Sequence, residues 1–80
     1  MTATTTSHHY RSESAIDNPI DDQLYDLLQA LTSKCEAIEA YAKYEQDAEG
    51  EVRELFQQLG RDDAEHARRL LDALRQRLGA

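Results

Sequence analysis

"LFQQLGRDDAEHARRLL", residues 55–71, is the stretch on which the fold turns. Read at steps of three and four, Leu55, Phe56, Leu59 and Leu70 fall on one side of an α-helix. Val52 before the stretch and Leu74 and Leu78 after it keep the same phase. Asp63 and His66 continue that stripe between the two apolar runs, so a carboxylate and an imidazole stand where leucine is expected. Gly60 leaves the phase intact, and glycine inside a helix costs only about 1 kcal/mol. The spacing therefore predicts one helix from about 51 to 78, closed by Gly79, with Gly60 permitting close approach or a local irregularity.

Toward the N-terminus, "DAEGEV" (47–52) interrupts the pattern at Gly50, the expected bend, and Glu51 and Glu54 suit the positive end of the next helix dipole. Before it, Leu24, Leu27, Leu28, Leu31, Cys35, Ile38 and Ala42 recur at helical steps and predict a first helix with one apolar face. "DNPIDDQL" (17–24) reads as its start. Asn18 suits the cap, Pro19 the first helical position, and Asp21 and Asp22 the positive dipole end. Two long helices joined by a short bend give an all-α antiparallel hairpin over 18–80. Residues 1–17, rich in Thr and Ser and without apolar period, read as a flexible N-terminal arm.

Composition bounds the rest. The chain has 80 residues, a formal net charge of −7, 40% hydrophobic and 31% charged residues. That is lean for a monomeric core, and chains this small draw on disulfides, a metal or a partner chain. Cys35 is the single cysteine, which rules out an internal disulfide and fits a reducing, cytoplasmic setting. The acidic balance argues against nucleic acid and anionic membrane as partners, and no apolar run approaches the ~20 residues of a membrane span. Arg61, Arg68, Arg69, Arg75 and Arg77 are five of the nine basic residues. Interleaved with acids near a helix C-terminus, they read as a solvated, dipole-matched face. Two helices cannot shield each other's stripes, whereas two hairpins can by forming a four-helix bundle. A homodimer or higher even-numbered homo-oligomer is the expected state.

Asp63 and His66 stand three apart and can reach one point. In di-iron carboxylate bundles two helices each give a Glu and two others each give a Glu-x-x-His pair, and carboxylate with imidazole suits iron, manganese or zinc. The segments "LTSKCEAIEAY" (31–41) and "LFQQLGRDDAEHARRLL" resemble the ferritin-like superfamily, nearest to the short encapsulated ferritins and rubrerythrins, over about Leu24 to Leu78. The resemblance implies a metal site in which His66 is the imidazole ligand and Asp63 takes the place of the paired Glu. It also implies that Glu36 matches an acidic residue lining the metal's approach, and that Tyr41 matches a first-helix tyrosine seven residues after the metal-binding Glu. At that ligand position this chain has Lys34. Cys35 lies at the same level, and Glu39 sits nearer the inner face but about one turn closer to the bend. The resemblance further implies iron as cofactor, ferroxidase or iron-storage chemistry, and an encapsulin shell as partner.

Lys34 shifts the balance between the readings that follow. The family's site sets four carboxylates against two divalent ions. A symmetric dimer of this chain brings two Lys34 and two Asp63, which already cancel, and two added divalent ions would leave about four uncompensated positive charges in a low-dielectric core, at several kcal/mol per ion. The leading reading is a self-assembling ferritin-like hairpin with an altered site, structural or weakly metal-binding, in which Lys34 holds Asp63. The alternative is an iron-binding ferroxidase of the encapsulated-ferritin type.

Overall fold

The computed structural model describes residues 18–79, so the expected arm over 1–17 lies outside the described residues. Two helices follow in order, α1 over Asp22–Gln46 and α2 over Gly50–Leu78, 25 and 29 residues long. They pack side by side as the predicted hairpin, and α2 runs unbroken through Gly60. No described helix is long and apolar enough to cross a membrane.

The bend needs glycine. Gly50 opens α2 with φ 59°, a left-handed conformation that only a residue without Cβ enters freely. Gly79 closes α2 at φ 77°, its N–H directed to the carbonyls of Arg75 and Gln76. The start of α1 lies three residues later than Asn18 and Pro19 suggested. Asp21 is the cap, its Oδ1 accepting from the Leu24 N–H at 2.8 Å. A charged acceptor answers both the orphan N–H groups and the dipole, which a neutral amide does only in part. Asn18 instead accepts from the Ile20 N–H and turns the chain into the helix.

The seam between the helices is rotated from the expected stripes. On α1 the half-buried line runs through Leu24, Leu27, Leu31, Lys34, Ile38 and Tyr41, while Cys35 and Ala42 are exposed. On α2 it runs through Phe56, Leu59, Asp63, Ala67 and Leu70 to the buried Leu74, and His66 lies outside it. The apolar stripe of each helix is wider than one partner helix covers, so one residue in each pair of neighbours reaches the seam and the other is left beside it. Val52, Leu55 and Leu78, expected inward, are 53, 54 and 62% exposed. Leu74 alone among the described residues is fully buried.

Candidate functional site

Midway along the seam α1 presents Lys34 and α2 presents Asp63. Their levels match because the two helices run antiparallel from a bend at 47–49, and the side chains meet: Lys34 Nζ donates to Asp63 Oδ1 at 2.9 Å. Nδ1 of His66, one turn further along α2, lies 3.2 Å from the same oxygen and donates to it when it carries the proton. The Asp63 side chain is the most enclosed of the three at 13% exposure, against 36% for Lys34 and 50% for His66. Hydrogen bonding from the Lys34 ammonium, with a smaller contribution from His66, holds the Asp63 carboxyl below the usual carboxylate range against the opposing effect of its partial burial. The arrangement is a short ion pair across the hairpin with an imidazole at its edge.

The other expected site residues do not join it. Glu36 and Glu39 are exposed on α1, as is Cys35. Tyr41, two turns along α1 toward the bend, belongs to an aromatic cluster instead. Its ring stacks on Phe56 at 6.1 Å, and Tyr44 closes on both rings at 6.2 and 5.5 Å. Among the described residues no group of three or more His, Cys, Asp or Glu side chains is placed to hold a metal.

Sequence reasoning passed over the second feature of this half of the hairpin. Small residues on both helices leave an open groove of about 420 Å³, lined from α1 by Ile38, Ala42 and Glu45 and from α2 by Gly60, Arg61 and Ala64, with Tyr41 and Phe56 between. Gln57 Nε2 donates to Glu45 Oε2 at 3.1 Å across one end of it. The signal was present in Ala42 and in the four-residue step from Gly60 to Ala64. An apolar stripe read only for its phase does not register side-chain volume.

A family model described as Rubrerythrin matches residues 26–80, most of the hairpin and the whole of the Lys34–Asp63–His66 group. No curated protein and no solved structure matches the chain.

Proposed function

The chain belongs to the rubrerythrin family, with the ferritin-like helical fold that this entails, and we propose that it acts as a self-assembling structural hairpin whose inherited metal half-site is closed by its own lysine. The observation that carries the reading is the 2.9 Å contact between Lys34 Nζ and Asp63 Oδ1. Iron is the group the family implies, and the donor set here does not fit it. The enclosed carboxylate already holds a cation, His66 directs Nδ1 at the same oxygen, and Glu36 and Glu39 are exposed on α1. An ammonium is a fixed charge on the protein's own chain, so the Asp63 charge is balanced inside one hairpin without an added ion.

Burial supports the self-assembly reading. A chain that fully buries one described residue and leaves Tyr44, Val52, Leu55 and Leu78 about half exposed or more has apolar surface for a partner to cover. A second copy of the hairpin supplies matching helices and completes a four-helix bundle. An exposed Cys35 with no second cysteine in the chain suits the reducing cytoplasm.

Thermal melts with and without Fe(II), Mn(II) or Zn(II), run beside sedimentation velocity, test the proposal. Wild type should sediment as a dimer or larger even-numbered species and gain little from metal. Lys34→Glu sets two carboxylates against each other and should melt lower without metal. With metal it should recover, because a ligand at 100 times its dissociation constant adds about 2.7 kcal/mol to the folded state. Equal gains from metal in both proteins would overturn the closed-site reading in favour of the iron-binding one.

A further inference from the structure

We propose that the Lys34–Asp63 pair is shared between two copies of this chain: a second hairpin seats on the face opposite the groove, and each Lys34 ammonium then bonds both its own Asp63 and the partner's Asp63. This rests on the self-assembly reading above and adds the face and the bond that crosses it.

Helix geometry locates the face. Ala42 and Ala64 line the groove. Tyr44 and His66, two residues further along each helix, are turned about 200° from them and lie on the opposite side. Leu55 and Leu59 stand eleven and seven residues before His66, each within about 20° of it. Tyr44 and Leu55 belong to the four large apolar side chains that the hairpin leaves about half exposed or more, and none of the four lines the groove. On α1 this side continues back from Tyr44 through Ala37 and Ala30 at seven-residue steps. Side chains that small let a partner helix come close enough for groups at the edge of the seam to be reached.

The Lys34–Asp63 pair borders this face, since His66 touches it, and it has bonding capacity left over. Asp63 Oδ1 takes both Lys34 Nζ at 2.9 Å and His66 Nδ1 at 3.2 Å, whereas Oδ2 accepts from no described residue. An ammonium has three N–H groups, and Lys34 directs one of them to Asp63. Lys34 is about one-third exposed, so solvent reaches the remainder in a single hairpin. A copy seated on the face removes that solvent, and a charged pair covered with its donors and acceptors unmatched destabilises the interface that covers it. A two-fold axis between the two Asp63 side chains supplies the match. Two ammoniums and two carboxylates meet with no net charge, and each Oδ2 gains a donor from the other copy. With both oxygens of each carboxylate taken, the quartet leaves no open position for a metal ion.

Complementation between two variants tests the shared bond. Lys34→Met keeps Asp63 and Asp63→Asn keeps Lys34, so neither hairpin has its internal pair and neither homodimer has a crossing one. Each variant alone should raise the dimer dissociation constant about tenfold or more. Mixed in equal amounts, with one of them isotope-labelled, they should form the mixed dimer well above the one-half share that random pairing gives, as native mass spectrometry would show. The mixed dimer alone sets a Lys34 against the partner's Asp63. Random pairing would mean that the bond stays within one hairpin, and overturns the proposal. Where either variant fails to fold alone, circular dichroism of the mixture gives the same decision: helicity above the mean of the two supports the shared bond, and helicity equal to that mean overturns it. Leu55→Glu should weaken the dimer about tenfold or more, and Arg61→Glu, on the groove side, by less than about threefold. The reverse order overturns the face. A wild-type chain that stays monomeric overturns both this proposal and self-assembly, whereas a dimer whose variants do not complement overturns the shared bond alone.

Discussion

Where the chain enters and leaves the hairpin, Leu74 is 8% exposed and Arg77 Nη2 reaches Asp21 Oδ2 at 2.7 Å; at the bend, Tyr44, Val52 and Leu55 each keep about half of their surface open. Both ends are built from helices of the same apolar period. What differs is volume and reach. Near the termini leucine meets leucine, with Leu24 and Leu27 on α1 and Leu70 and Leu74 on α2. Near the bend Ala42 faces Gly60 and Ala64 and the seam opens into a groove, and α1 ends at Gln46, leaving Val52 with little to cover it. Periodicity tells which side of a helix is apolar, and side-chain size tells whether one partner helix is enough to bury it.

The largest effect should come from the closed end. Leu74→Ala removes the one fully buried side chain among the described residues and should cost about 2–3 kcal/mol, a fall in Tm of roughly 10 °C or more for a domain this size. Leu55→Ala at the bend should cost a hairpin on its own well under half of that. Denaturant melts of both variants, run at a dilution where the chain is monomeric, check the ratio, and equal losses would erase the distinction between the two ends.

Acid titration gives the next largest effect and again tests the closed end. The Asp21 carboxyl is held below its ordinary range chiefly by the Leu24 N–H and further by Arg77. Asp63 is lowered by Lys34 and Glu65 by Arg68. A carboxylate lowered in the folded state stabilises it above the ordinary value, and that contribution fades as pH falls through the lowered one. Wild type should therefore lose stability from about pH 4 downward. Asp21→Ala should start less stable at neutral pH and lose less on acidification, as Tm against pH would show. The smallest effect is expected from deleting residues 1–16, which carry no apolar period. Tm should barely move, and a large drop would mean that this segment covers one of the open surfaces.

The hairpin, the bend at Gly50 and the continuity of α2 were legible in the sequence because each rests on local backbone physics repeated over many residues. The meeting of Lys34 with Asp63 was legible too, since two helices counted back from one bend have matching levels. The cap of α1 was not. Asn18, Asp21 and Asp22 are all competent caps, and the choice among them depends on where α1 first finds α2 to pack against. The rotation that takes Lys34 rather than Cys35 into the seam, and Ala67 rather than His66, was hidden for a related reason. A stripe broader than one partner allows two phases about 100° apart, and only the three-dimensional pairing selects between them.

The contact between Asp21 and Arg77 also has a mechanical meaning. It places the beginning of α1 and the end of α2 side by side, so a load pulling the two chain ends apart acts across the seam rather than along it. Such a load meets the Asp21–Arg77 pair first, then the leucines around Leu74, then Lys34 and Asp63, and reaches the aromatic rings at the bend last. The helices peel apart one rung at a time, and the peak resistance is that of a single rung, far below what the same seam would withstand if its helices were made to slide past each other.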